Sequence, residues 1–195
     1  MIRGSAVGKR FEAAAFDNYK VTPKNRAAYE AVKAVACKER EGVFLTGKVG
    51  TGKTHLLAAL AHEFSCEAQG EVGDDGFWHR TQEARTVEWW PILDLVSELR
   101  NEIRAGAQQV SKRCRECSLL VLDDFGQERV TDFVLEELER IIDWRYRNEM
   151  PIAISTNLSI EQIIDKYGDR AISRWAEQCE IVQVGGEDYR KRGTK

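Results

Sequence analysis

The sequence predicts an α/β fold of three layers with a mainly parallel sheet of five strands. Apolar runs of strand length alternate with segments of helical periodicity along the 195 residues, and a glycine-rich turn joins the first strand to a helix. The composition, 43% hydrophobic and 31% charged, is typical of a globular domain and excludes a disordered chain. Neither a repeat nor a linker divides the chain, which favours a single domain.

Five apolar segments have the length and composition of buried strands. The run LLVL at 119–122 lacks any polar residue, as is typical of parallel sheets covered by helices on both faces. The predicted strands lie at 43–46, 86–90, 118–122, 151–155 and 181–184.

Six segments carry apolar residues at helical spacing. Pro91 suits the first position of the third helix, because its fixed φ and missing N–H are tolerated there. Ser159 and Gln162 form a capping box at the start of the fifth helix, and Gly168 ends that helix. The predicted helices lie at 24–37, 53–64, 91–103, 131–146, 159–168 and 171–178. The polar segment 66–85 is predicted to be a long loop.

Charge, hydropathy and cysteine content limit the possible partners. The net charge of −3 means that any nucleic-acid contact depends on a local basic patch. No apolar run approaches the roughly 18 residues of a membrane span, and the first twenty residues lack a signal-peptide core. The five scattered cysteines favour reduced thiols. We therefore expect a cytoplasmic protein without a membrane partner.

The segment GKVGTGKT follows the first predicted strand, precedes a helix and matches the phosphate-loop pattern G-x-x-x-x-G-K-[ST]. Glycines let backbone N–H groups converge on phosphates, and Lys53 is expected to contact the β- and γ-phosphates from a solvent-facing position. A plain glycine-rich turn would leave Lys53 and Thr54 unexplained. The predicted nucleotide-binding residues here are Gly47, Lys48, Val49, Gly50, Thr51, Gly52, Lys53, Thr54 and His55.

Two carboxylates follow the apolar strand at 118–122. Asp123 and the Thr54 hydroxyl are predicted to hold Mg²⁺, and Asp124 to orient and polarise the attacking water. Asn157 follows the next strand and is predicted to bind the γ-phosphate or that water. Turn residues at strand ends are the alternative for all three. Adjacent acids favour hydrolysis of a nucleotide over transfer to a small acceptor.

Three further groups of residues have two interpretations each. Cys114 and Cys117 form a CxxC motif, but the chain offers too few partners for a zinc site, so a structural role is favoured. The tryptophans at 89, 90, 144 and 175 could stack on bases, although core packing is favoured. A basic patch of DNA contacts is expected where cations concentrate, or else a solvated helix end, at Arg100, Arg104, Lys112, Arg113 and Arg115 and in the tail 190–195.

The order of several motifs resembles the AAA+ ATPases of the DnaC/DnaI helicase-loader group, and is similar to DnaA initiators and IstB transposition ATPases. The resemblance covers residues 16–190, and its motifs are FDNY, GKVGTGKTHLLAALA, LLVLDDFG, PIAISTNLS, YGDRAISR and EDYR. It implies a P-loop NTPase fold of the AAA+ (ASCE) type without a carboxy-terminal lid domain. Residues 16–195 would form the ATPase domain, and residues 1–15 an amino-terminal extension or tag remnant.

The resemblance also implies roles for individual residues. The strand before Asn157 would lie between the other two motif strands, which makes Asn157 the sensor 1 residue. Arg174 matches the arginine finger that reaches the nucleotide of a neighbouring subunit, and Arg190 matches the sensor 2 position. Arginines in a terminal helix are otherwise usually solvated.

The function implied is that of an ATPase using ATP and Mg²⁺. It would act with single-stranded DNA and a replicative helicase in DNA replication, and would self-associate through an ATP-bridged interface. The alternatives are an IstB-like ATPase that assists a transposase, a P-loop kinase for a small molecule, and a binding module whose nucleotide is structural.

Overall fold

The computed structural model describes residues 1–5, 7–66, 70–72, 78–80, 85–129 and 131–190. A short 3₁₀ helix spans Lys9–Phe11. The strands are β1 (Ile2–Gly4), β2 (Gly42–Thr46), β3 (Gly70–Val72), β4 (Trp78–Arg80), β5 (Val87–Pro91), β6 (Leu119–Phe125), β7 (Ile152–Thr156) and β8 (Glu180–Gln183). The helices are α1 (Arg26–Ala36), α2 (Lys53–Cys66), α3 (Ile92–Arg104), α4 (Gln109–Glu116), α5 (Asp132–Arg147), α6 (Ile160–Tyr167) and α7 (Asp169–Gln178).

The main sheet has the strand order β1-β5-β6-β7-β2-β8, and every neighbouring pair is parallel. The five predicted strands are β2, β5, β6, β7 and β8, so the predicted α/β fold class is confirmed. Strand β7 lies between β2 and β6, as the resemblance implied. The sheet gains a sixth strand from β1, which pairs with β5 and is too short to give a periodic signal.

Helices cover both faces of this sheet. Successive strand residues point to opposite faces, so Val43 and Leu45 join the core beneath α1 and α2, whereas Phe44 joins the core beneath α3 to α7. Both cores are built almost wholly from aliphatic and aromatic side chains. The predicted three-layer arrangement follows from this alternation.

Segment 66–85 is not a simple loop. Strands β3 and β4 form an antiparallel pair in which Gly70 is opposite Arg80 and Val72 opposite Trp78. Each strand has only three residues, which is too short for an alternating apolar pattern to be recognised among the neighbouring glycines. The loop prediction for 67–69, 73–77 and 81–84 lies outside the described residues.

The sequence signals at helix ends predicted some helix boundaries correctly and missed others. The capping box of Ser159 and Gln162 is present, and Gly168 ends α6 with a φ of 85°. Pro91 is the N-cap of α3 and the last residue of β5, so its prediction as the first helical residue was wrong by one position. Helix α4 was not predicted, because polar residues dominate its sequence.

Two fold-level observations concern the helices that the described residues form. Between β8 and Arg190, where the described part of the chain ends, the structure has no α-helix. Among the helices described here, none has both the length and the apolar character required to cross a membrane.

Candidate nucleotide-binding site

A cavity of about 450 Å³ opens at the carboxyl edge of the sheet, where β2, β6 and β7 end. Its volume lies within the roughly 300–1,000 Å³ that is typical of small-molecule sites. It is lined by Arg10, Phe11, Asn18, Tyr19, Lys20, Val49, Gly50, Gly52, Lys53, Thr54, His55, Asp124, Gln127, Asn157, Tyr189 and Arg190. The predicted phosphate loop, the second acid and the strand-end amide therefore share one cavity.

The phosphate loop connects β2 to α2 through backbone that only glycine adopts easily. Gly47, Gly50 and Gly52 have φ values of 142°, 80° and 96°. The Thr51 hydroxyl donates to the Lys48 carbonyl at 2.9 Å and closes the turn. The loop thus delivers its N–H groups to the amino end of α2, where the helix dipole favours an anion.

Lys53 is buried, and its ammonium group donates three hydrogen bonds. Its acceptors are the carbonyls of Gly47 at 2.7 Å and Lys48 at 2.9 Å and the Asn157 side-chain oxygen at 2.8 Å. Burial lowers the pKa of Lys53, and the nearby carboxylates oppose that effect. The expectation of a solvent-facing lysine was wrong, because these loop and strand-end oxygens hold the ammonium inside the site.

Asp123 forms the buried end of the site. Its Oδ1 accepts hydrogen bonds from the Thr54 hydroxyl at 3.2 Å and from the Ser155 hydroxyl. Burial raises the pKa of Asp123, and the bond from Ser155 opposes the rise. Ser155 was not predicted as a site residue, since only the register of β7 beside β6 brings it to Asp123.

These oxygen atoms fit a magnesium ion. Mg²⁺ prefers hard oxygen ligands, and the Asp123 carboxylate and the Thr54 hydroxyl are already within 3.2 Å of each other beside the phosphate loop. A buried carboxylate whose pKa burial raises would also be stabilised as an anion by a bound cation. The two residues predicted as metal ligands therefore meet in the structure.

Asp124 and Asn157 are joined by a hydrogen bond. Asn157 Nδ2 donates to Asp124 Oδ1 at 3.2 Å, and the Asp124 main-chain N–H donates to the Ser155 hydroxyl at 3.1 Å. Asp124 has a φ of 55°, a left-handed conformation that is costly for most residues and common at functional sites. This turn directs the Asp124 side chain into the cavity while Asp123 stays buried.

Arg10, Phe11, Asn18 and Tyr19 line one side of the cavity and were not predicted as individual site residues. The Asn18 side chain shares a hydrogen bond with His55 Nε2 at 2.9 Å, and the Tyr19 ring lies 5.4 Å from the His55 ring. Arg10 and Phe11, from the 3₁₀ helix, line the same side. The FDNY motif signalled that this segment matters, but only the tertiary structure brings it to the phosphate loop.

A family model, described as IstB-like ATP binding protein, matches residues 6–195. The chain belongs to the IstB-like ATP-binding protein family. Its relatives include the phage-like element PBSX protein XkdC of Bacillus subtilis, 29% identical over 89% of this chain and 60% of XkdC. The chromosomal replication initiator DnaA of Campylobacter jejuni is 28% identical over 83% of this chain and 34% of DnaA. The chain spans 60% of the length of each of the first three relatives.

Solved structures show the same fold. The DnaC helicase loader matches with a TM-score of 0.74 at 23% identity, over 91% of this chain and 99% of the loader chain. DnaA bound to AMPPCP and single-stranded DNA matches with a TM-score of 0.72 at 24% identity, over 89% of this chain and 50% of DnaA. The P-loop AAA+ fold and the resemblance to helicase loaders and DnaA are thus confirmed for this IstB-like protein.

The two predicted arginines of the IstB-like chain lie in different places. Arg190 lines the nucleotide cavity, close enough for its charge to lower the pKa of Lys53 further. Arg174, on α7, is not among the residues that line that cavity, and its guanidinium forms an ion pair with Asp143 at 2.7 Å. About a quarter of the Arg174 side chain is exposed (26%), so a neighbouring molecule can reach it.

The cations of the predicted basic patch differ in their surroundings in the structure. Arg113 Nε donates at 3.1 Å to Glu88, whose side chain is only 2% exposed, so this arginine neutralises an interior acid. Lys112 lies 4.0 Å from Glu116 on the surface of α4. Arg104 is exposed and Arg100 is half-buried on α3. Arg113 therefore remains a predicted member of the DNA-binding patch, because 39% of its side chain is exposed although its Nε pairs with Glu88.

The remaining motifs are packed in the interior. Cys114 and Cys117 are buried, and the Arg145 guanidinium donates to Cys117 Sγ at 3.2 Å. Within the described residues no group of three or more His, Cys, Asp or Glu side chains could hold a metal ion. Trp89, Trp90 and Trp175 belong to the cores, as the packing interpretation predicted. The basic residues at 191–195 lie outside the described part of the chain.

Proposed function

We propose that this IstB-like protein binds ATP with Mg²⁺, hydrolyses it, and uses the cycle to act on single-stranded DNA with a replicative helicase. The observation that carries the proposal is the chain of hydrogen bonds from Lys53 through Asn157 to Asp124, at 2.8 and 3.2 Å. It links the group expected at the γ-phosphate to the carboxylate expected at the attacking water.

Each residue has a distinct task in this mechanism. Lys53 exchanges its carbonyl partners for phosphate oxygens and neutralises charge that develops in the transition state. Asn157 orients the Asp124 carboxylate, which accepts a hydrogen bond from water and aligns it for attack on the γ-phosphate. Thr54 and Asp123 would hold Mg²⁺, which supplies additional neutralisation of phosphate charge. Arg190 adds a cation at the same cavity.

The hydrolysis proposal is tested by measuring ATP turnover of the parent protein with and without single-stranded DNA. Phosphate release that depends on Mg²⁺ supports it. ATP bound without turnover, even with DNA and a helicase present, would favour a module whose nucleotide is structural. Formation of ADP only when a small acceptor is added would favour a kinase. The IstB-like family match favours an ATPase over a kinase.

Single-stranded DNA is proposed as a partner because exposed cations lie on α3 and α4. DnaA, a structural match, was solved with AMPPCP and single-stranded DNA, which gives a precedent on the same fold. We expect DNA affinity to fall as the salt concentration rises. In the triple Ala variant at Arg100, Arg104 and Lys112, the slope of log affinity against log salt concentration should be smaller by about 0.7 for each phosphate that is no longer neutralised. A control with Ala at Arg26, Arg40 and Arg147 removes three charges elsewhere. Equal slopes in both triple variants would count against the patch.

A transposase is the alternative protein partner, and the IstB-like family match favours it. ATP turnover of the parent can be measured with DNA and each partner class in turn. Stimulation by a replicative helicase supports the loader function, whereas stimulation by a transposase alone supports the alternative.

A further inference from the structure

The segment that follows β8 packs against the phosphate loop. Val184 N–H donates to the Thr46 carbonyl at 2.7 Å, and Tyr189 N–H donates to the Gly50 carbonyl at 3.0 Å. A Cβ built on Gly47 would lie 2.5 Å from the Val184 carbonyl oxygen. The segment therefore holds the phosphate loop and the strand end before it through two backbone bonds, while its last residues, Tyr189 and Arg190, also line the cavity.

Asp188 fixes the end of this segment. Its Oδ1 accepts the Arg190 main-chain N–H at 3.0 Å, which shapes the turn that presents the Tyr189 N–H. The carboxylate also lies so close to Gly50 that a Cβ built there would be 1.8 Å from Oδ1. Gly50 therefore lacks room for a side chain as well as needing its positive φ.

The bond from Tyr189 has a consequence for phosphate binding. A peptide unit is planar and trans, so the Gly50 carbonyl and the Thr51 N–H point in opposite directions. The bond from Tyr189 to the Gly50 carbonyl therefore also fixes the direction of the Thr51 N–H, which is one of the loop N–H groups available to an anion. Without that bond, the peptide that joins Gly50 to Thr51 rotates more easily, because Gly50 restricts the backbone little.

We propose that the main-chain N–H of Tyr189 positions the phosphate loop for nucleotide binding, with Asp188 as the side chain that holds Tyr189 in place. The proposal deepens the proposed ATP-binding function and rests on it. The segment after β8 then contributes twice to the site, through Arg190 at the cavity and through the backbone bond from Tyr189 to the loop.

The test compares matched pairs of variants. Tyr189→Pro and Tyr189→Ala both remove the phenol, but only proline replaces the N–H with a ring carbon that cannot donate and that displaces the Gly50 carbonyl, and the helical turn at Tyr189 and Arg190 suits the φ of proline. We expect the Kd for ATP and ADP, and the KM for ATP, to be about five- to tenfold higher for Pro than for Ala. The kcat values should agree within about twofold, because the loop holds ground state and transition state alike.

A second pair keeps the proposal testable if the proline variant does not fold. Asp188→Ala and Asp188→Asn both lose the charge, but only asparagine keeps an oxygen that can accept the Arg190 N–H. We expect Asp188→Asn to recover most of the nucleotide affinity that Asp188→Ala loses. Thermal unfolding without nucleotide checks that both variants of each pair are folded.

The role of the N–H must also be separated from displacement of Arg190. The Tyr189 pair is therefore repeated with Arg190→Ala in the background. A difference in Kd that persists supports the loop role, and one that vanishes overturns it, as would equal Kd values in the parent background. A fall in kcat with unchanged KM would also overturn it. A parent protein that binds no ATP would instead remove the proposed function itself.

Discussion

Lys53 Nζ and Asn157 Oδ1 lie 2.8 Å apart, although 104 residues separate the two side chains in the sequence. The bond crosses from the phosphate loop after β2 to the end of β7, which are neighbouring strands. Asn157 also donates to Asp124, so a single amide contacts both the lysine and the second acid. A phosphate that displaces Lys53 from Asn157 would free that amide to act on the Asp124 side of the site.

The first prediction concerns Lys53→Met, which removes the charge and keeps the chain length. ATP binding should be lost to the limit of an isothermal titration, because no other side chain of the loop carries a cation into the site. The thermal midpoint without nucleotide should change little, since the lost bonds of Lys53 are offset by relief of its buried charge. Unchanged ATP affinity in the folded variant would remove the nucleotide site from this loop.

A second prediction separates the two acids. Asp124→Asn should bind ATP with Mg²⁺ normally and lose hydrolysis by about 10²-fold or more, since general-base catalysis contributes roughly 10²–10⁴. Asparagine also tolerates the left-handed φ of 55° at this position, so the fold should be kept. Asp123→Asn is the matched comparison and should weaken the Mg²⁺ dependence of ATP binding. Normal turnover by Asp124→Asn would assign the base elsewhere.

Local patterns in the sequence were sufficient for the chemistry of the site. The residues from Gly47 to Thr54, the acids at the end of β6 and Asn157 after β7 were predicted because each lies at or just beyond the carboxyl end of a buried strand. Parallel strands bring such ends to one edge, and so the residues meet in the cavity. The same logic predicted the three-layer fold, which depends only on periodicity and strand alternation.

Contacts between distant segments could not be predicted in this way. The burial of Lys53, the pairing of Arg113 with Glu88, and the bond from Tyr189 to Gly50 depend on tertiary geometry. Strand β1 has only three residues and is held by its pairing with β5. In each case the interacting residues are too far apart in the sequence for periodicity or local propensity to indicate their contact.

The third prediction concerns alkaline pH. Burial raises the pKa of Tyr19 to about 12 from 10.0. A phenol whose pKa is higher in the folded than in the unfolded state stabilises the fold fully below pH 10, and that contribution is lost as pH rises toward 12. Tyr19→Phe should therefore lose less thermal stability than the parent between these values. Absorbance titration of tyrosinate should show one phenol fewer in the late step, and parallel stability curves would contradict the prediction.

A fourth prediction concerns Arg145, whose side chain is fully buried. Its Nη1 donates to the carbonyls of Cys114, Arg115 and Cys117 at 2.9–3.0 Å, and its Nη2 donates to the Pro151 carbonyl. Arg145→Ala removes a buried donor from all four carbonyls, of which Pro151 keeps the Leu120 N–H, and creates a cavity, so we expect destabilisation by about 3 kcal/mol or more in urea unfolding.

Two comparisons sharpen this test. Arg145→Lys keeps the charge, but a lysine ammonium cannot reach both the carbonyls that Nη1 contacts and the Pro151 carbonyl. This variant should therefore recover only part of the lost stability. A chelator should leave the parent midpoint unchanged if Cys114 and Cys117 serve packing around Arg145. A midpoint that falls with chelator and returns with zinc would assign the CxxC motif to a metal.

The last prediction asks whether Arg174 completes the active site of a neighbouring copy. Arg174→Ala should then bind ATP normally and hydrolyse it poorly, because the lost charge acts only on the developing transition state. Its ion pair with Asp143 offers a structural explanation for any loss, so Asp143→Asn is the matched control and should keep most of the turnover. A loss of equal size in both variants would assign Arg174 to packing between α5 and α7.

Mixing two inactive proteins decides between these roles. Arg174→Ala retains a working nucleotide pocket, and Lys53→Met retains a working Arg174, so an interface between them can pair one intact pocket with one intact arginine. We expect the mixture to recover part of the parental turnover, measured with DNA or a helicase present if assembly requires them. Since two inactive monomeric enzymes cannot restore each other, recovery would establish action in trans. A mixture that stays inactive where the parent assembles and hydrolyses ATP would count against action of Arg174 in trans.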